Sequence, residues 1–268
     1  MGSVLPGLFA ENSVTRRVNR ENVLLLGGGR ALLMQLAHPK VALGVDEHSD
    51  FRKQPIRRLR RTIRMTMAIV FGDRQTALGA ARAVNQVHAG VRGGGYRALD
   101  PDLLLWVHAT LADTALVTYE TFVQRLSTRE REAFYQEFKL MGELLGIPTA
   151  RFPATLGDFA AYLEEMMSSG PVHVDRRAHE LARQVLRPGL RLLPGPVMIP
   201  LEIITTGLLP PVLREQYGLA WGPPQQRVFH FAVRTLPRII SLTPPLIRVW
   251  PLPGRTLRFT PGGRAVSS

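Results

Sequence analysis

The chain contains no cysteine. That absence removes disulfides, thiolate zinc sites, cysteine nucleophiles, iron–sulfur clusters and thiolate-ligated haem. A bound metal or porphyrin would have to draw on histidine, carboxylate, tyrosine or methionine, and a chain without thiols is indifferent to the redox state of its compartment. Long apolar runs are missing as well. Arg30 interrupts the one candidate, residues 23–37, and Pro6 stands early in the N-terminal segment. Neither a membrane span nor a signal peptide is expected, and the expected location is cytoplasmic. Acidic residues are scarce: 21 against 34 lysines plus arginines, a formal charge of +13 carried almost entirely by arginine. Such a surface suits phosphates, carboxylates and anionic surfaces. No reading helix or set of stacking aromatics accompanies the charge, so nucleic acid is not an expected partner.

What the sequence does hold is a core. At 268 residues and 45% apolar content it can bury one, and its apolar residues recur at helical spacing while period-two alternation is hard to find. The expected class is all-α, one domain over residues 1–268. A helix is expected over residues 24–44, interrupted near Pro39, and another over 56–70. Residues 75–91 place Ala77, Ala81, Val84, His88 and Val91 on one stripe; after "DPDLLLWVHATLADT", Leu104, His108, Leu111, Ala115, Thr118 and Phe122 form a second. Ser127 with Glu130 reads as a capping box, and the helix it opens should end at Gly146. Helices are expected over about 158–167 and 175–186. Beyond Pro188, in the Pro-rich segment 188–268, helices should be short or broken and packed on the domain. The stretch "LPRIISLTPPLIRVWPLPGRTLRF" mixes arginines with Ile, Leu and Trp250, a composition compatible with a membrane surface. Its prolines argue against a continuous amphipathic helix there.

Four features invite chemistry. "LLLGGGRALL" resembles a nucleotide-binding turn but lacks the third glycine at position 32 and any GK[ST], so close backbone packing is the better reading. Asp175 and His179 stand four apart with His173 nearby, a spacing that matches no zincin or finger pattern, and a solvated helix face is expected. Arg58 and Thr62 also stand four apart, beside an apolar stripe, so a guanidinium and a hydroxyl could point inward together, although with no partner evident for a buried guanidinium an exposed Arg58 is the default. His88 and His108 lie on stripes that otherwise read as core. A buried neutral imidazole bonded to a carbonyl is the default; the alternative is an axial ligand to haem iron, projecting from a helix into an apolar slot.

The run "GGGRALLMQLAHPKVALGVDEHSDFRKQPIRRLRRT", followed in order by "VFGD", "VNQVHAGVRG", "YRALDPDLLLWVHATL" and "YETF", resembles the MpaB-like oxygenases, the family that includes latex clearing protein, the bacterial rubber oxygenase. The resemblance covers about residues 20–230 and is nearest to short bacterial members. It implies haem b in a helical, globin-like core. The "HAxVRG" motif makes His88 the proximal iron ligand, and the distal arginine and threonine fall on Arg58 and Thr62, with Arg61 one register away. Arg30, His38, His48 and His108 belong to the cofactor-binding pattern. Rubber-cleaving members carry a glutamate base, for which Asp46, Glu47, His48 and Asp50 offer no clean match.

The expected function is therefore a haem-dependent oxygenase that activates dioxygen or peroxide at a His-ligated iron and oxidises a small apolar substrate, isoprenoid or lipid-like. Oxidative cleavage of a carbon–carbon double bond and peroxygenase chemistry both fit. The alternative is a haem-binding carrier or sensor without turnover, and peripheral attachment to a membrane surface is compatible with either.

Overall fold

The computed structural model describes residues 7–48, 55–187 and 195–250, with only the backbone described for residues 55–59 and 195–198. The fold is all-α. Helix α1 (Val14–Asn19) leads through a 3-10 segment (Asn22–Gly27) into α2 (Gly28–Leu36), α3 (Pro39–His48), α4 (Pro55–Phe71) and α5 (Arg74–Gly90). A two-residue ribbon, β1 (Arg92–Gly93) against β2 (Tyr96–Arg97), precedes α6 (Pro101–Phe122) and α7 (Thr128–Leu144). Then follow α8 (Leu156–Ser168), α9 (Arg176–Leu186), α10 (Gly195–Leu208), α11 (Pro211–Gln216), α12 (Pro223–Leu242) and α13 (Pro245–Arg248).

Helix α6 is the axis of the core. It is apolar on most of its circumference, with Trp106, Ala109 and Phe122 at zero exposure, and such a helix is stable only when enclosed. Helices α1, α2, α7, α12 and the 3-10 segment enclose it. The helix starts follow local chemistry. Asp73, Asp100 and Asp175 accept backbone N–H bonds at the starts of α5, α6 and α9. Both halves of the capping box form at Ser127/Glu130 and again at Thr155/Asp158. Ser127's hydroxyl and backbone N–H, with Arg17, hold the Glu130 carboxyl down to about 2. Gly146 ends the α7 turn at φ +98°, a conformation that favours glycine.

The glycines of "LLLGGGRALL" behave as packing residues. A Cβ on Gly27 would run into Thr114 and Thr118 of α6, and one on Gly29 into Thr205 of α10, so the backbone of this segment lies directly on its neighbours. Arg30, one residue on, is buried and cross-links three helices: Nε donates to the Leu208 carbonyl at 2.7 Å, Nη1 to Thr114 Oγ1 at 2.6 Å and Nη2 to Asp113 Oδ2 at 2.5 Å.

The C-terminal third departs from the sequence expectation. Helix α12 runs unbroken for 20 residues with Pro237 inside it, and α10 holds Pro200 across 14 residues. The physical reason lies in where most of the prolines fall. Pro211, Pro223 and Pro245 occupy first-turn positions, where a helix has no use for an N–H and the fixed φ already matches. They start helices instead of stopping them. Phe229, Ala232, Val233, Leu236 and Ile240 then seat α12 on Phe122, Ile204 and Leu208. Residues beyond Trp250, Arg255 among them, lie outside the described residues.

Candidate functional site

Helices α4 and α5 are joined by only Gly72 and Asp73 and pack on each other as an antiparallel pair. The pair is buried at its base and open at its tip. Ala68, Ile69, Val70 and Phe71 of α4, and Thr76, Ala77, Ala80 and Ala81 of α5, are buried. Toward the tip, Arg60, Arg61, Thr62 and Arg64 are exposed on α4, and Gln86, Val87, Ala89 and Gly90 on α5. Counting outward from the connection at an equal rise per residue, the early turns of α4 stand level with the last turns of α5. The stripe read from the sequence as core therefore emerges from it: Ala77 and Ala81 are buried, whereas Val84, His88 and Val91 are half-buried.

Two anchors fix the tip around His88. Asn85, one turn earlier, donates Nδ2 to the Leu144 carbonyl of α7 at 3.0 Å. Just after His88 the chain turns into the ribbon, and the glycines there have distinct tasks. A Cβ on Gly93 would stand 2.7 Å from Glu47 Oε2 and from the Tyr96 ring, so close approach to α3 requires glycine. Gly95 sits at φ +90° in the turn. Gly90 and Gly94 face open space.

The last turn of α3 closes on this ribbon. Tyr96 is buried, its hydroxyl donating to Glu47 Oε2 at 2.7 Å; burial and that bond push the phenol up to about 12. His48 Nε2 is paired with the Arg92 carbonyl at 3.1 Å, and its ring meets Tyr96 edge-on at 6.3 Å. Asp46 turns away to Arg177 of α9 at 3.2 Å, and Asp50 lies outside the described residues. Of the polar residues ahead of α4, Glu47 and His48 thus meet the segment that carries His88. Tyr96, which links them, was not singled out as a site residue from the sequence; its signals were its place directly after the glycine triplet and at the head of "YRALDPDLLLWVHATL".

The remaining sequence-selected residues divide by place. Arg61 and Thr62 are exposed near the tip of α4, and Arg58 is on the same helix with its side chain outside the described residues. His38 is buried at the α2–α3 junction, its Nδ1 accepting from the Lys40 N–H at 3.2 Å; burial first, then the Lys40 charge, lowers its pKa. Arg30 is committed to the core cross-link described above. His108 is buried among Phe138, stacked at 4.9 Å, Phe152, edge-on at 5.6 Å, and the bare backbone of Gly142. Desolvation pushes it down to about 3, and neither ring nitrogen has a hydrogen-bond partner, where a carbonyl partner was expected. Asp175 caps α9, and His179 lies half-buried edge-on to Tyr217 rather than on a fully solvated face. Among the described residues no group of three or more histidines and carboxylates could hold a metal ion.

Comparison with known proteins covers most of the chain. The family model for the catalytic domain of the ER-bound oxygenase mpaB/B' and rubber oxygenase matches residues 15–238. Uncharacterized proteins of Mycobacterium bovis and Mycobacterium tuberculosis are each 29% identical to the chain over 217 residues, which is 76% of this chain and 84% of theirs. No solved structure matches.

Proposed function

The chain belongs to the family of mpaB and rubber oxygenase catalytic domains, and on that premise we propose that it is a haem b oxygenase for an apolar, isoprenoid or lipid-like substrate, with His88 as the axial ligand. The observation that carries this is the position of His88, where an apolar stripe leaves the core at the open end of the α4–α5 pair. The donor set fits the group. A bare ion would need several protein ligands, whereas a porphyrin brings its own ring nitrogens and asks the protein for one imidazole on a rigid element. His88 meets that requirement, on a helix end pinned by Asn85 and by the Gly93 contact with α3. His108, enclosed by phenyl rings, does not.

Bound haem would supply the activation of dioxygen or peroxide, chemistry beyond the reach of side chains. The chain's own residues do the rest. Arg61 and Arg58 of α4 offer guanidinium donors to oxygen atoms that gain negative charge, and Thr62 orients a hydroxyl or water beside them. The exposed arginines of α4, α5 and the ribbon are a pool of cations for propionate carboxylates. His48 meets the ribbon that follows His88, while His38, Arg30 and His108 serve the surrounding helical frame.

The first experiment is an absorption spectrum of protein expressed with adequate iron, beside His88→Ala. A Soret band in the parent that is lost in a folded His88→Ala variant is the expected result; full haem with an unchanged spectrum in the variant removes His88 from the role. Incubation with isoprenoid and fatty substrates, oxygen and a reductant should give oxygenated products by mass spectrometry. Haem binding without any product across that panel would assign a carrier or sensor instead.

A further inference from the structure

Helix α12 shows a second face that the oxygenase reading does not use. While its inner residues pack on α6 and α10, the outer ones are large and apolar: Phe231 is 69% exposed, Ile239 56% and Leu242 84%. Farther along the chain, Leu246 and Ile247 of α13 and Trp250 after it are exposed as well. Leu25 is exposed on the 3-10 segment that α13 touches. At about 100° per residue, Val228, Phe231, Ile239 and Leu242 fall within roughly a quarter of the α12 circumference. Arg227, Arg234 and Arg238, all exposed, line the adjoining strip. No acid balances them: residues 216–268 carry seven arginines and no Asp, Glu or Lys.

We propose that this face docks the protein flat onto an anionic lipid bilayer, Phe231, Ile239 and Leu242 entering the interface while Arg227, Arg234 and Arg238 meet lipid phosphates. An apolar strip bordered by cations along one helix is the pattern of an interfacial helix. Charge selects the occupant. A second copy pairing through the same face would bring two strips of arginine together without acidic partners, whereas an anionic leaflet complements both strips at once. Among the described residues no helix is long and apolar enough to cross a membrane, so attachment is along the surface. It stands independently of haem, because none of its residues belongs to the α4–α5 site.

The test is flotation of the full chain with vesicles of phosphatidylcholine alone and with phosphatidylserine added to give the leaflet a negative surface potential. Binding to the anionic vesicles, weakened by salt and at least about tenfold poorer on neutral ones, is expected. Phe231→Ala with Leu242→Ala should weaken it about tenfold or more, and Arg234→Gln with Arg238→Gln should do so while flattening the salt dependence. Circular dichroism checks the folding of both pairs, and the comparison of lipids needs no variant at all. Equal binding to both vesicles, or binding to neither, overturns the proposal. So does a dimer of the parent protein that Phe231→Ala with Leu242→Ala dissociates, which would give the face to a second copy.

Discussion

His108 is a basic group kept where it cannot ionise. Its folded pKa of about 3 lies below the ordinary 6.5, so in the unfolded chain it takes up a proton at a pH where the folded chain cannot. The stability it permits is whole above pH 6.5 and falls by about 1.4 kcal/mol for each pH unit below that, until the folded ring itself titrates. His108→Leu removes this slope and two buried nitrogens without partners. The variant should unfold in acid at lower pH than the parent and be as stable or more so at pH 7, by denaturant titration at both pH values. A large loss at pH 7 would mean that the ring is bonded in solution. Arg30 gives the opposite case. Arg30→Met leaves Asp113, Thr114 and the Leu208 carbonyl without their donor and should cost on the order of 3 kcal/mol, seen as a lowered urea midpoint. The two residues differ in legibility for the same reason. The stripe carrying His108 announces burial by its period, whereas acceptors for Arg30 come from positions 113, 114 and 208, which periodicity cannot bring together.

Among the elements, the α4–α5 pair and the ribbon after it show how local chemistry sets a site. The stop after His88 was readable, since three glycines cannot continue a helix cheaply. What they turn into was not, because the ribbon is held by α3 through Tyr96 and Glu47, remote in sequence from each other. Tyr96→Phe removes one hydrogen bond and should cost about 1 kcal/mol. Gly93→Ala pushes a methyl against Glu47 and the Tyr96 ring and should cost about 1–3 kcal/mol. Hydrogen exchange should quicken in residues 91–98 in both variants, and more in Gly93→Ala; unchanged protection there would show that α3 does not hold the ribbon. The start of α7 was legible because its cap lies within three residues of chain; α9 was placed to within a residue, while α8 was begun two residues late, its Thr155/Asp158 box unread. Helix α12 misled for an equally local reason: prolines mark helix starts and helix stops alike, and only the packing of Phe229, Leu236 and Ile240 decides which.

At the scale of the whole molecule, the chain closes on itself at a seam built from residues outside the α4–α5 pair. Arg248 grips buried Glu21 with two bonds, Nε to Oε2 at 2.8 Å and Nη2 to Oε1 at 3.0 Å. The Trp250 N–H donates to the Arg20 carbonyl at 2.7 Å, and Asn22 Nδ2 donates to the Ile247 carbonyl at 2.6 Å. This seam joins the segment that leads into α2 to the end of α13, so it ties the C-terminal helices to the chain just ahead of the helix that carries Arg30. In Arg248→Ala the Glu21 carboxylate, 6% exposed in the parent, loses its cation. Arg248 itself is 30% exposed, which screens the pair and trims the loss to about 1–3 kcal/mol. A fall in thermal midpoint should therefore appear with the haem spectrum unchanged at temperatures where the variant is folded, because the seam touches none of the residues around His88. Loss of haem in step with loss of the seam would instead tie the C-terminal helices to the oxygenase site. Glu21→Gln with Arg248→Met tests the cause: removing both charges should recover part of the stability that Arg248→Ala loses, since a buried carboxylate left alone is costlier than none.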